Sequence, residues 1–380
     1  MDFAPSETER LVQLTARDFA ERVVAPRAAQ IDATEEFPRD VMQGLARLGL
    51  MAVSVAPDLG GAGAGAIAYA LAVQEVARAC ASTAVMASVT NMVCETIARF
   101  GTEAQARRHC PRLAGGEYEL GSFALSEPDA GSDPGAMRTT ARREGSEWVL
   151  DGAKQWITGA TYAGVIVVWA RTAPPETGTK GISCFLVERG AAGMRIGAPE
   201  DKLGIRGSNT VPIQFDSCRL PADALLGPLD GGFKIAMSAL DGGRIGIAAQ
   251  ALGIARAAMA DSAAYAKVRR AFGSPIGQHQ AVAWKLADMN VQIDAAHLLL
   301  MRAAWLKEQR RPFSREAAMA KLVASETAVR VCNDAVQIHG GYGYVRELPV
   351  ERHLRDARVT TLYEGTSEIQ RTVIARSVLA

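Results

Sequence analysis

Glu364 is the residue of this 380-residue chain whose surroundings best suit chemistry. It stands between Tyr363 and Gly365, and Thr366-Ser367-Glu368 and apolar residues at helical spacing follow. Threonine and serine are frequent helix N-caps, and glycine adopts backbone angles that other residues avoid. The pattern predicts a tight turn into a helix, from which a carboxylate can be aimed at a reacting group. From the local residues alone, an acid that merely complements the helix N-terminus is the commoner explanation.

Two upstream segments suggest a surface for a flat, polar cofactor. Residues 123–133, FALSEPDAGSD, combine a short strand with a turn rich in hydroxyls, carboxylates and exposed amides, which can hydrogen-bond a ring edge or a phosphate. In residues 154–159, KQWITG, Trp156 and Thr158 are two positions apart and so project to one side of a strand. An indole face beside a hydroxyl suits a planar heteroaromatic ring. An ordinary polar loop and a core tryptophan are the alternatives at this point.

Three glycine-bearing segments resemble phosphate sites to different degrees. Arg269 precedes a Gly/Pro loop, and a guanidinium can clamp a diphosphate. Residues 337–344, QIHGGYGY, expose the backbone at two consecutive glycines, although a glycine that ends a helix is the usual explanation. Residues 60–68, GGAGAGAIA, contain a dinucleotide-type glycine register, but no second parallel strand follows the helix. A loop between two helices is therefore predicted there.

Composition argues against several classes of protein. A formal net charge of +1 gives no electrostatic reason to bind nucleic acid or an anionic membrane surface. The first residues lack the apolar segment of a secretory signal, and the charge-free run 79–94 is too short to span a membrane. Six cysteines without a CxxC pair predict reduced thiols in the cytoplasm. Five histidines without ligand spacing predict no metal.

The periodicity changes twice along the chain. Residues 1–117 carry helical patterns, residues 118–228 carry short β-branched runs separated by turns, and residues 229–380 return to long helical patterns. The connections between the strands are too short for crossover helices, so the sheet is predicted to be antiparallel. The predicted fold class is α+β, with an N-terminal helical domain, a central β-barrel or sandwich, and a C-terminal four-helix bundle.

Together these segments resemble the acyl-CoA dehydrogenase family of flavoproteins. The resemblance covers nearly the whole chain, in order, through FALSEPDAGSD, KQWITG, KLGIRGS, LDGGRIGIAAQALG, RRAFGSPI, QIHGGYGY and YEGTSEIQR. The stretches LDGGRIGIAAQALGIA and AMAKLVASE are most similar to those of the short-chain, butyryl-type members.

The resemblance implies a role for each matching residue. The residues implied to hold FAD are Phe123, Ala124, Leu125, Ser126, Trp156, Ile157, Thr158, Arg269, Phe272, Gln280, Gln337, Ile338, His339, Gly340, Gly341, Thr366, Ser367 and Glu368. The residues implied to border the substrate are Ser132, Asp241, Gly242, Gly243, Arg244, Tyr363 and Gly365. Some family members carry the catalytic acid next to the arginine that Arg244 matches. That position here is Gly243, which leaves Glu364 as the implied catalytic base.

The implied reaction is α,β-dehydrogenation of a short-chain acyl-CoA to a trans-2-enoyl-CoA, in which Glu364 removes the α-proton and flavin N5 takes the β-hydride. The implied partners are the acyl-CoA thioester, an electron-transferring flavoprotein as acceptor, and further copies of the chain in a homotetramer. The alternatives are a short branched-chain acyl-CoA dehydrogenase, a flavin oxidase or monooxygenase on the same fold, and a non-catalytic helical scaffold. Asp129 replaces a usual glycine of the family and adds a charge without an assigned role.

Overall fold

The computed structural model describes residues 4–379 and opens with a layer of helices. These are α1 (Glu7–Phe19), α2 (Ala28–Thr34), α3 (Arg39–Arg47), α4 (Gly65–Ala79), α5 (Ala81–Phe100) and α6 (Glu103–Ala114). Ser6 begins α1 with a capping box, because its side chain accepts from the Glu9 N–H while the Glu9 side chain accepts from the Ser6 N–H. Helices α4 and α5 are buried over most of their length and form the centre of this layer.

The central part of the chain folds into one sheet. Its strands are β1 (Leu120–Ala124), β2 (Thr140–Glu144), β3 (Glu147–Thr158), β4 (Ala163–Arg171), β5 (Ile182–Glu188), β6 (Met194–Ile196), β7 (Thr210–Pro221) and β8 (Leu225–Leu226). They lie in the order β6-β7-β3-β2-β4-β5-β8, with β1 added on β4. Strands β4 and β5 are buried almost throughout and pair in antiparallel register from Val165 to Arg171.

Two pairings in this sheet are parallel. Strand β1 runs parallel to β4 from Leu120 to Ala124, and β2 meets β4 in parallel at Thr140. The expected antiparallel pattern therefore holds for most of the sheet but not for these two contacts. The chain leaves β1 through a long loop and then forms the β2–β3 hairpin, so it reaches β4 in the direction of β1 without a crossover helix.

Long helices complete the molecule. They are α7 (Gly232–Val268), α8 (Gln280–Glu308), α9 (Ser314–His339), α10 (Val350–Val359) and α11 (Ser367–Leu379), and a small hairpin of β9 (Arg270–Ala271) and β10 (Ser274–Pro275) lies between α7 and α8. Helix α7 is buried along most of its length and packs against α4, α5, α8 and α9. The predicted fold class, helices followed by a β domain and a helical bundle, is confirmed.

A junction near α10 fixes the approach to Glu364. The Ile205 N–H donates to the buried Asp356 carboxylate at 2.6 Å, and Arg355 forms an ion pair with Asp32 at 2.7 Å. The first contact ties the β domain to α10 and the second ties α10 to the N-terminal helices. The segment from α10 to Glu364 therefore starts from a helix that is anchored both to the β domain and to the N-terminal helices. Within residues 4–379 no helix is long and apolar enough to cross a membrane, and no cluster of side chains suits a metal ion.

Candidate active site

Glu364 lies in a strained turn between α10 and α11. Its φ is +53° and that of Gly365 is +87°, so two consecutive residues are left-handed. A non-glycine residue in this region is uncommon and is retained where the surrounding structure holds it. Thr366 caps α11, because its hydroxyl accepts from the Ile369 N–H at 3.3 Å. The turn into a helix that the sequence predicted is therefore present, and it includes backbone strain at the acid itself.

Two side chains hold the carbonyl groups of this turn. Gln370 Nε2 donates to the Glu364 carbonyl at 3.0 Å and to the Gly365 carbonyl at 2.8 Å. Lys321 Nζ, from α9, donates to the Gly365 carbonyl at 2.7 Å. These bonds fix the orientation of the Glu364–Gly365 peptide and hence the direction of the Glu364 side chain.

The Glu364 carboxylate rests against Gly243 of α7. A Cβ placed on Gly243 would lie 2.6 Å from Glu364 Oε2 and 2.9 Å from Met92 Sδ, so any larger residue would displace the acid. Glu364 Oε2 is buried and has no hydrogen-bond partner among residues 4–379. A buried carboxylate oxygen without a donor is costly, and such a group is held ready to accept a proton.

Burial controls the charge state of this acid. It raises the pKa of Glu364 to about 7, while the positive charges of Arg244 and Lys321 oppose that shift. Arg244 is itself paired with Asp241 at 2.6 Å, and Ser314 donates to the same Asp241 oxygen at 2.9 Å. Burial also raises the pKa of Asp241. Glu364 thus lies in a low-dielectric site, and the raised pKa of its carboxyl suits a general base near neutral pH.

The residue before the acid lines the same buried region. The Tyr363 hydroxyl donates to Gln250 of α7, and the Gln250 amide donates to the Ala81 carbonyl at 2.9 Å. One turn nearer to Gly243, the hydroxyls of Tyr69 and Ser88 bond each other at 2.7 Å and fill the space over Gly246. Polar pairs therefore close the interior beyond Glu364 between α5 and α7.

The loop after β1 is tied to β3 by a buried ion pair. Lys154 Nζ, fully buried, donates to Glu127 at 2.8 Å and to the Leu125 carbonyl at 3.1 Å. The Glu127 carboxylate also accepts from the N–H groups of Arg138 at 2.6 Å and Thr139 at 3.0 Å. Burial alone would raise the pKa of Glu127, but the charge of Lys154 and the hydrogen bonds from Lys154, Arg138 and Thr139 together lower it. The loop 123–127 is therefore rigidly set beside Trp156.

We expect Lys154→Met to lower the free energy of unfolding by about 3–5 kcal/mol, because it leaves the Glu127 carboxylate buried and unpaired. Chemical denaturation of the purified protein measures this loss. The double variant Lys154→Met/Glu127→Gln is the matched control and should recover part of it, since the buried charge is gone. A double variant as unstable as the single one would contradict the assignment of the loss to the unpaired charge.

Trp156 presents a large aromatic face to solvent. Its φ is +64°, its side chain is 60% exposed, and it lies at an irregularity in the pairing of β3 with β7 between Lys154 and Ile157. The alternative of a core tryptophan therefore does not apply. Ile157 beside it is buried, and the Thr158 carbonyl accepts from the Ser122 hydroxyl at 2.7 Å. An exposed indole held by a strained, rigid strand can cover a flat ring.

A third group of predicted residues surrounds a separate cavity of about 600 Å³ at the ends of α7 and α9. Arg269, Ile338, His339, Gly340 and Gly341 line it together with Tyr342, and the Arg269 guanidinium lies 5.4 Å from the centre of the Tyr342 ring. A cavity with an arginine and two exposed glycines at a helix end suits a phosphate-bearing group.

Four of the predicted residues are exposed at the surface and lie outside these groups. Phe272 is 96% exposed at a φ of +49°, Gln280 and Gln337 are exposed, and none of the three lines the cavity. Ser132 is exposed in the loop after β1. Asp129, whose charge the sequence left unexplained, pairs with Arg138 at 3.2 Å on the surface.

Sequence reasoning missed four buried side chains that organise the site, namely Lys154, Gln250, Lys321 and Gln370. A lysine in an otherwise apolar helical stretch, as in AMAKLVASE, is a signal that could have found Lys321. The hydrogen-bond partners of these four residues are 27, 169, 44 and 6 positions away in the chain, respectively. The first three partners are too distant in sequence for a local pattern to predict.

Comparison with known proteins shows the family to which the chain belongs. The acyl-CoA dehydrogenase N-terminal, middle and C-terminal domain families match residues 6–117, 122–218 and 230–379. The chain therefore belongs to the acyl-CoA dehydrogenase family, a family of flavoprotein oxidoreductases. It is 50% identical to the mitochondrial short-chain specific acyl-CoA dehydrogenase of Bos taurus, over 98% of this chain and 90% of that protein.

Two solved structures have the same fold throughout. The butyryl-CoA dehydrogenase of Megasphaera elsdenii matches with a TM-score of 0.98 and 41% identity, over the full length of both chains. A chain in a structure described as the electron transferring flavoprotein of Acidaminococcus fermentans matches with a TM-score of 0.98 and 40% identity, again over both full lengths.

Proposed function

We propose that this protein is an FAD-dependent short-chain acyl-CoA dehydrogenase that converts an acyl-CoA to its trans-2-enoyl-CoA. The observation that carries the proposal is the Glu364 carboxylate, held by a strained turn against Gly243 with one oxygen buried and unpartnered within residues 4–379. The short-chain specific relatives and the butyryl-CoA dehydrogenase support the choice of substrate class.

Glu364 removes the α-proton in this proposal. An α-proton beside a thioester is weakly acidic, so the base must be strong and the thioester oxygen must be polarised in a site without water. Burial supplies the first condition by raising the pKa of Glu364. The backbone N–H of Glu364 has no acceptor among residues 4–379 and is the donor proposed for the thioester oxygen.

FAD, when bound, would supply the redox chemistry as the acceptor of the β-hydride. The chain residues that fit it are the rigid loop 123–126, the exposed face of Trp156 with Ile157 and Thr158, and residues 366–368 at the start of α11. The cavity at Arg269 and residues 338–341 suits its phosphate-bearing half. Exposed Phe272, Gln280 and Gln337 would complete such a site across a subunit boundary, as the family resemblance implies.

The polar pairs beyond the base favour a short acyl chain. The Tyr69–Ser88 pair fills the space over Gly246, and the Tyr363–Gln250 pair lies about one turn further along α7. Burying an unpaired polar group is costly, so a long acyl chain that separates either pair loses binding energy. A short branched acyl chain is the second candidate for the same space.

Anaerobic mixing with a panel of straight and branched acyl-CoA thioesters tests the proposal. Butyryl-CoA should bleach the flavin fastest, and longer chains progressively more slowly. An isobutyryl or isovaleryl thioester that bleaches faster would favour the branched-chain alternative. Admitting air distinguishes an oxidase, because a dehydrogenase should keep its flavin reduced while product is bound. A protein that binds no FAD on reconstitution would support a non-catalytic scaffold and contradict the proposal.

The rate of flavin reduction should depend on pH through Glu364. Glu364 acts as a base only when it is deprotonated, so kcat/KM should fall about tenfold per pH unit below a pKa of about 7 and level off above it. Stopped-flow reduction by butyryl-CoA across neutral pH measures this profile. A rate that is flat from mildly acidic to mildly alkaline pH would contradict the assignment of the base.

We further propose a homotetramer that passes electrons to an electron-transferring flavoprotein, in the cytoplasm. Helix α8 exposes Trp284, Val291, Leu298 and Trp305, which are seven residues apart and form an apolar stripe suited to packing against another subunit. The buried thiols of the cysteines are compatible with a reducing compartment.

The division into domains 1–117, 118–228 and 229–380 remains our proposal, supported by the change from helices to strands and back.

A further inference from the structure

We propose that Lys321 is a positioning residue for the catalytic base, which anchors the strained Glu364 turn through the Gly365 carbonyl and supplies the buried positive charge that keeps the Glu364 carboxylate ionised. The inference rests on the proposed role of Glu364 as the base. Lys321 lies on α9, whereas Glu364 lies in the turn between α10 and α11, and no contact of Lys321 with flavin or substrate is proposed.

Lys321 has an unusual setting for a lysine. Its side chain is fully buried in α9, and its one hydrogen bond, at 2.7 Å, goes to the Gly365 carbonyl. Among residues 4–379 it forms no ion pair within 4.0 Å, whereas the other fully buried lysine, Lys154, pairs directly with Glu127. A buried ammonium without a paired anion is expensive, so its retention calls for a compensating role.

Satisfying the Gly365 carbonyl does not provide that role. Gln370 Nε2 already donates to the same oxygen at 2.8 Å, and also to the Glu364 carbonyl. An apolar side chain at position 321 would therefore leave no carbonyl of this turn without a donor. What Lys321 adds beyond the hydrogen bond that Gln370 also makes is a positive charge beside the turn.

The charges around Glu364 indicate where that cation acts. Helix α7 presents Arg244, but its charge is engaged by Asp241 at 2.6 Å. Helix α5 presents Glu95, which is paired with Lys307 of α8 at 2.7 Å. Helix α4 presents the neutral Tyr69, and the turn itself adds Tyr363 and Glu368. Of the two cations near Glu364, Arg244 is paired with a carboxylate, whereas Lys321 forms no ion pair within residues 4–379.

The two groups influence each other in the expected directions. Burial lowers the pKa of Lys321, and the nearby Glu364 charge is the largest effect that opposes this shift. Conversely, Lys321 counters the effect of burial on the pKa of Glu364. Removing the ammonium should therefore raise the pKa of Glu364 and reduce the fraction of the enzyme with an ionised base at neutral pH.

Two variants and one control test this proposal in the FAD-loaded enzyme. Lys321→Met removes both the charge and the hydrogen bond, whereas Lys321→Gln keeps an N–H donor without the charge and serves if the methionine variant does not fold. Lys285→Met is the control, because Lys285 forms a partly exposed ion pair with Asp334 far from the turn in sequence. The pH dependence of anaerobic flavin reduction by butyryl-CoA is measured for each.

Lys321→Met and Lys321→Gln should move the acidic limb of the profile upward by about one pH unit, which lowers the rate about fivefold at pH 7 and about tenfold at more acidic pH. Lys285→Met should leave the limb in place. A uniform loss of rate at all pH values without a shift of the limb would show a merely structural lysine and would overturn the proposal, as would an unchanged profile.

An infrared titration of the Glu364 carboxyl separates this proposal from the proposed function. The Glu364 signal is identified as the band that is lost in Glu364→Gln, and its midpoint is compared between the wild type and the Lys321 variants. A higher midpoint in the variants supports the influence of Lys321 even if Glu364 proves not to be the base. Unchanged midpoints overturn it even if Glu364→Gln abolishes flavin bleaching.

Discussion

Replacement of Glu364 by glutamine is expected to lower the rate of flavin reduction by butyryl-CoA by a factor on the order of 10²–10⁴, because the amide cannot accept the α-proton. Glutamine has nearly the shape of glutamate, so it should fit the space against Gly243 that the carboxylate occupies. FAD content and affinity should stay close to those of the wild type. Stopped-flow spectroscopy of the flavin under anaerobic conditions measures the rate directly.

A carboxylate near the site but outside it provides the control. Glu326 of α9 forms a partly exposed ion pair with Arg371 at 2.6 Å, and Glu326→Gln should change flavin reduction less than twofold, since such pairs contribute little. If Glu364→Gln still bleached the flavin at the rate of the wild type, another residue would have to be the base.

Gly243→Ala should lower the rate of flavin reduction by about 10²-fold, an effect second only to that of losing the acid. The new Cβ would lie 2.6 Å from Glu364 Oε2 and 2.9 Å from Met92 Sδ, and the ends of these flexible side chains would have to move. A displacement of about 1 Å in a catalytic group can cost a factor of this size. The fold should survive because neither clash involves backbone. Anaerobic stopped-flow rates, with unfolding curves for each protein, measure both effects.

The two substitutions should not be additive. If Gly243→Ala acts by displacing the base, it has nothing left to displace in Glu364→Gln, so the double variant should react as slowly as Glu364→Gln alone. A further loss of 10²-fold in the double variant would mean that Gly243 matters for substrate entry or helix packing instead.

The fold was largely predictable from the sequence because its elements are long and strongly periodic. The stripe of Leu286, Met289, Ile293, Ala296 and Leu300 predicted one face of α8; the last four are buried, and Leu286 is half-buried against the same core. The short α10, VERHLRDARV, was missed because it is mostly charged and its burial comes from contacts with α7 and α9. The parallel pairing of β1 with β4 was missed because a short strand does not reveal which distant partner it will join.

The site was predictable in its residue types but not in its geometry. Gly243 was recognised only as the absence of the alternative catalytic acid, and its contact with Glu364 could not be foreseen because it depends on how α7 packs against the turn. The positive φ of Trp156 and Glu364 also arises from tertiary structure, since propensity argues against both. Lys321 contacts a carbonyl 44 positions away, and only the three-dimensional structure brings the two together.

The most direct test of the central claim is a single anaerobic turnover of the wild-type enzyme with one equivalent of butyryl-CoA, followed by mass spectrometry of the thioester. The account predicts loss of two hydrogens from the acyl chain, a trans-2-enoyl-CoA product, and reduction of one flavin per product formed. Oxidised flavin with unchanged butyryl-CoA, or reduced flavin without the enoyl product, would contradict it.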